Sequence, residues 1–142
     1  MRLGSSLLTV VVAATVAAGS LTGAAAARVE GAADATLKVT LKEWKVIPST
    51  RTCVAAGRIT FAVRNAGALE HELVVLRTNR PPGRLPMKGS QAVETGLRGK
   101  TPELVPGRTL RLTLRLRSGR YALLCNLPGH YKAGQFAGLC VR

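Results

Sequence analysis

Residues Leu110 to Arg117 read Leu-Arg-Leu-Thr-Leu-Arg-Leu-Arg, a strict two-residue alternation. Successive side chains of an extended strand point to opposite faces. Leu110, Leu112, Leu114 and Leu116 therefore line one face, and Arg111, Thr113, Arg115 and Arg117 the other. The same period governs Thr36 to Glu43, where Leu37, Val39 and Leu41 face one way, and Arg58 to Arg64, where Ile59, Phe61 and Val63 do. After a Ser118-Gly119 turn, Tyr121, Leu123 and Cys125 share the inward face of a further strand. Leu73 to Leu76 is a continuous apolar run, fit for a strand buried on both faces. Thr52 to Val54 and Phe136 to Arg142 read as two more. About seven short strands, with turn signals roughly every 8–12 residues, predict an all-β sandwich, and no segment demands a helix. Between them, Arg77 to Gly107 is rich in Pro, Gly, Arg and Lys and predicts a long connection with one short strand or helical turn.

Metal-binding chemistry is concentrated in one loop, Cys125-Asn-Leu-Pro-Gly-His130-Tyr-Lys-Ala-Gly-Gln135. It spaces a thiolate, an imidazole and an amide oxygen at four-residue gaps, Cys-x4-His-x4-Gln. Thiolate with imidazole suits copper or zinc. Pro128 fixes one φ and Gly129 permits a tight reversal, so the loop can fold Cys125 and His130 toward one point. A second histidine, His71, closes the segment Asn65-Ala-Gly-Ala-Leu-Glu-His71 and is the natural further donor.

These two segments resemble the small blue-copper proteins, the cupredoxins. That family carries Asn-x-Gly-x-x-x-His after one strand, then Cys-x-x-Pro-Gly-His-x-x-x-Gly-Met near the C-terminus. The resemblance spans about Thr36 to Arg142 and departs at Gln135, where many members have an axial methionine and some plant members use glutamine. It implies an all-β, cupredoxin-like Greek-key sandwich of about seven to eight strands holding one type 1 copper through His71, Cys125 and His130, with Gln135 axial, and a one-electron carrier rather than an enzyme. An amide oxygen is harder than a thioether and favours Cu(II). Asn65 corresponds to the family's loop-pinning asparagine. Glu72, with Glu70, flanks His71; strand alternation sends both to solvent, while Glu72 as an outer partner would orient the imidazole. Trp44 reads as a core or rim aromatic. Met87 could be sought as a replacement axial ligand, but nothing places it at the loop. The alternative function is copper handling or partner binding without redox turnover. The same donors would also accept zinc.

The 142 residues allow one domain. Only two histidines exclude a multicopper oxidase or a copper nitrite reductase, and there is no Cys-x-x-Cys-His for haem. Arg2, an apolar Leu7 to Ala18 and small residues at Ala24 to Ala27 predict a signal peptide over 1–27, cleaved near Ala27. Length alone would also allow Leu3 to Ala27 to be a retained anchor. Residues 28–35 follow as a flexible arm and 36–142 as the domain. Export to an extracytoplasmic space permits disulfides. With Cys125 given to the metal, Cys53 and Cys140 remain, on strands that lie close in cupredoxin-like folds. They predict a disulfide, or otherwise two buried thiols. The formal charge is +14. Export and scarce aromatics argue against nucleic acid. The expected partner is an acidic redox protein, with an anionic envelope surface as a further one, and the chain is expected to be a monomer.

Overall fold

The computed structural model describes residues 33–142. The signal peptide assigned to 1–27, and the arm as far as residue 32, lie outside the described residues. Ten strands follow in chain order among them: β1 (Ala33–Lys42), β2 (Lys45–Pro48), β3 (Gly57–Asn65), β4 (Val74–Arg77), β5 (Met87–Lys88), β6 (Gln91–Ala92), β7 (Leu97–Lys100), β8 (Thr109–Leu116), β9 (Gly119–Leu124) and β10 (Phe136–Val141). Eight of them form the sandwich, with sheet order β2-β1-β3-β8 in one layer and β10-β9-β4-β7 in the other. The pair β5–β6 is a separate short ribbon.

The alternating patterns set the registers. On β3 and β8, Ile59 pairs with Leu114, Phe61 with Leu112 and Val63 with Leu110, so their apolar faces coincide. That face meets Leu73, Val75, Tyr121, Leu123, Leu139 and Val141 of the second layer in one core. The intervening Val74, Leu76, Ala122 and Leu124 point the other way. They are buried beneath Leu85, Ala92 and Tyr131. The 77–107 connection thus covers the outer face of β4 and β9, which is why these strands are apolar on both sides.

Several boundaries differ from the sequence expectation. β1 begins at Ala33, not Thr36: residues 33–35 pair in parallel with Gly57, Arg58 and Ile59, so the arm's last three residues belong to the sheet. β2 was hidden because its four residues include two ends, Lys45 and Pro48, without an apolar signal. It returns along β1 through Trp44, whose φ of 54° is the one left-handed non-glycine among the described residues. Thr52 to Val54 makes only a single bridge, Val54 to Val141, rather than a strand. The 77–107 connection holds a 3-10 turn (Pro82–Arg84), the ribbon and β7, more than the one element expected.

Cys53 and Cys140 are disulfide-bonded, 87 residues apart in sequence. The bond fastens the approach to β3 onto β10, and a loop of that length contributes about 4 kcal/mol by restricting the unfolded chain. Cys125 is the free cysteine, and it is buried.

Candidate metal centre

The segment ahead of β4 and the loop between β9 and β10, all strands of one sheet, deliver the donors. His71 sits just ahead of β4, bridged to Leu104 by N–H···O contacts of 3.1 and 2.7 Å in the two directions. Cys125 follows β9, His130 lies on the loop, and Gln135 precedes β10. Cys125 Sγ is 3.3 Å from His130 Nδ1 and 3.9 Å from His71 Nδ1, and the two Nδ1 atoms are 3.3 Å apart. A cation at the centre of a trigonal plane, about 2.0 Å from nitrogen and 2.3 Å from sulfur, would space its donors by roughly 3.5–3.8 Å. The observed 3.3–3.9 Å brackets that spacing, so shifts of about a few tenths of an ångström would seat such an ion.

Gln135 lies beside it. Its Nε2 donates to the Lys42 carbonyl at 2.8 Å and lies 3.1 Å from His71 Nδ1. Its Oε1 is the one buried side-chain polar atom without a partner among the described residues. An unpaired buried amide oxygen costs about 1–3 kcal/mol, which a cation contact would relieve. Met87, in contrast, is 40 % exposed on β5.

The outward side of His71 is held by a residue the sequence did not single out. Glu43 Oε1 is 3.3 Å from His71 Nε2 and also accepts the N–H groups of Ala68 and Leu69 at 2.7 and 2.8 Å. These contacts, the Leu69 N–H foremost, bring its carboxyl down to about 2. Burial lowers the basicity of His71, against the pull of Glu43. The neutral ring donates Nε2–H to Glu43 and leaves the Nδ1 lone pair facing the cluster, the tautomer a metal ligand needs. Gly67 explains the glycine of the Asn-x-Gly segment: a Cβ there would collide with the Glu43 carboxylate and come within 2.8 Å of His71 Nε2. Glu43 reaches this place through the β1–β2 turn, 28 residues from His71 in sequence, and an isolated Glu-Trp was the only local sign of it.

Asn65 is fully buried. Its Nδ2 donates to the carbonyls of Leu69 and Leu104, both at 2.7 Å, and its Oδ1 accepts from Gly67 N–H at 2.9 Å. Glu70 is exposed, but Glu72 is buried rather than solvent-facing. It touches the site through its backbone: the Glu72 N–H donates to Cys125 Sγ at 3.4 Å. Its carboxyl is pushed up, chiefly by burial. Burial likewise pushes the Cys125 thiol up, opposed by the N–H groups of Glu72 and Leu127. Those two donors are oriented to a sulfur that carries charge, and metal binding would displace the proton.

The loop is tied down by Asn126 and Tyr131. The Asn126 side chain pairs with both backbone groups of Ala92, at 2.8 and 3.0 Å. The buried Tyr131 hydroxyl donates to Pro82 O at 2.8 Å and accepts from Leu85 N–H at 2.9 Å. Gly129 adopts φ 84°, the conformation the Pro-Gly reversal requires. Trp44 is a rim residue with a definite neighbour: its ring meets His130 edge-on at 5.2 Å between centroids. His130 itself is half-buried.

No known protein-family profile matches the chain, and no curated protein is similar to it in sequence. Solved structures are similar in fold. A reduced auracyanin from Roseiflexus castenholzii shares 23% identity with a TM-score of 0.58, covering 79% of this chain and 99% of its own. Auracyanin A, a "blue" copper protein from Chloroflexus aurantiacus, shares 18% at a TM-score of 0.57, over 78% of this chain and 100% of its own. Rusticyanin from Thiobacillus ferrooxidans shares 17% at a TM-score of 0.54, over 75% and 77%. The fold of this chain is the cupredoxin fold, with a His-Cys-His cluster at the place its sequence motifs predict and Gln135 beside it.

Proposed function

We propose that the chain is an exported type 1 copper protein that carries one electron at a time and is not an enzyme. The observation that carries this reading is the triangle of His71, Cys125 and His130, whose metal-ligating atoms all lie within 4.8 Å of one another. Copper bound there would supply a Cu(I)/Cu(II) couple. Thiolate with two imidazoles suits both oxidation states, and the free Gln135 oxygen is the candidate fourth, axial donor. His71, held by Glu43 and by the bridge to Leu104, is the fixed ligand. His130, half-buried under Trp44, is the route to the surface. Trp44, Leu69 and Val105 are 42–51 % exposed on segments that adjoin the site. With Leu127 and Pro128 they offer an apolar rim for brief docking of an acidic redox partner. The Cys53–Cys140 bond supports an oxidising compartment outside the cytoplasm.

The test is a reversible redox titration of the copper-loaded chain, followed by a copper count. Uptake and release of one electron per chain with copper retained fits a carrier. Copper that leaves on each reduction instead identifies a copper-handling module. In the same titration, Gln135→Met should raise the potential; an unchanged value removes Gln135 from the ligand set.

A further inference from the structure

Four arginines converge at the pole of the sandwich away from the metal centre. Arg77 is the last residue of β4 and pairs with Tyr121 of β9, four residues before Cys125, which is about 13 Å along the strand at 3.3 Å per residue. There a concavity of about 400 Å³ is lined by Arg77, Arg98, Arg115, Arg117 and Tyr121.

The backbone is arranged to gather them. The pairing of β4 with β7 passes from Val75–Gly99 to Leu76–Leu97, leaving Arg98 as the extra residue of a bulge. A bulge re-aims the side chain it carries. The adjoining Gly99 lies so close to β8 that a Cβ would stand 2.6 Å from Leu114 Cδ2. A glycine there lets β7 close on β8 and brings Arg98 beside Arg115 and Arg117. Arg77 Nη2 donates to the Ser118 carbonyl at 3.0 Å, and the Tyr121 hydroxyl donates to the Arg117 carbonyl at 2.7 Å. These two bonds fix the chain that forms one wall.

No carboxylate answers this charge. Among the described residues the ion pairs are Arg58–Asp34, His71–Glu43 and Lys100–Glu94, and none involves the four arginines. Like charges gathered without a counter-charge weaken the compact state, and the field they focus attracts anions. Guanidiniums present forked N–H donors that match phosphoryl oxygens in pairs.

We propose that this concavity binds a phosphoryl group carrying at least two negative charges, either a soluble phosphate or diphosphate or the phosphomonoester headgroup of a lipid. Its position apart from His130 separates it from electron exit. It is an anchoring or sensing site, independent of the metal.

The experiment is calorimetric titration of the full chain at physiological salt with pyrophosphate, with citrate as a carboxylate of similar charge, and with vesicles containing phosphatidic acid. Pyrophosphate should bind at one site per chain. Replacing the exposed Arg98 and Arg117 together by glutamine should weaken it about tenfold, while the same charge loss at Arg64 and Arg111 should change it by less than about twofold. Vesicle binding that pyrophosphate displaces assigns the lipid source; pyrophosphate binding without vesicle binding assigns the soluble one. Equal losses in both double variants, equal affinity for citrate, or no saturable binding would overturn the proposal.

Discussion

The two poles of the sandwich solve opposite problems. At one, three buried donors and the half-buried His130 are aimed by hydrogen bonds: Asn65, Glu43, Asn126 and Tyr131 fix the segments that carry His71, Cys125 and His130. At the other, four guanidiniums stand in solvent without a carboxylate partner, and a disulfide clamps β10 to the approach of β3. Precise placement of buried ligands comes from many directional bonds. Charge crowding at a surface is instead tolerated behind a covalent tie. The first arrangement suits a metal that must change charge without moving its ligands; the second suits a charged guest.

The comparison predicts that the two poles fail separately. Replacing both Cys53 and Cys140 by alanine should lower stability most, by about 4 kcal/mol in urea unfolding, from the loop the bond closes. Metal affinity of the folded protein should be unchanged; a matching loss of affinity would mean that the poles are coupled. Asn65→Ala should cost about 3 kcal/mol, because the Leu69 carbonyl and the Gly67 N–H lose their partner and the buried Leu104 carbonyl keeps only the His71 N–H, and here affinity should fall as well. Tyr131→Phe should cost about 1–2 kcal/mol, the net worth of two hydrogen bonds at the ligand loop, and a smaller cost would show that the loop is held mainly by Asn126. The smallest effect is the pH dependence through Glu43. Its folded carboxyl, near 2, lies below its ordinary value of 4.5. The ionised group therefore stabilises the fold above about pH 4.5, and this contribution is lost as pH falls toward 2. The stability difference between the wild type and Glu43→Gln should shrink over that window in metal-free protein. A constant difference would break the assigned role of the Glu43 charge.

The ligand pole was the more legible of the two in sequence, for a physical reason. Cys125, His130 and Gln135 lie within eleven residues, and a Pro-Gly turn fixes their local geometry. His71 was marked by the Asn65 and Gly67 before it. The alternating strands were equally plain, since period two leaves a direct imprint on which residues are apolar. Glu43 left no imprint, because its role depends on a turn through the left-handed Trp44 that no glycine announced. Glu72 was misjudged as solvent-facing because the chain between His71 and β4 is irregular, so simple alternation does not apply there. The arginine concavity was visible only as a charge excess. Arg77, Arg98 and Arg115 come from three strands, and a bulge, which sequence does not mark, brings them together.

The most direct test of the metal centre is the visible absorption spectrum of the chain after addition of one equivalent of Cu(II), before and after ascorbate, beside the Cys125→Ser variant. The account predicts an intense thiolate-to-copper band in the wild type that bleaches on reduction and is missing from the variant. A folded wild type that binds Cu(II) without that band, or a variant that keeps it, would contradict coordination by Cys125 and with it the electron-carrier reading.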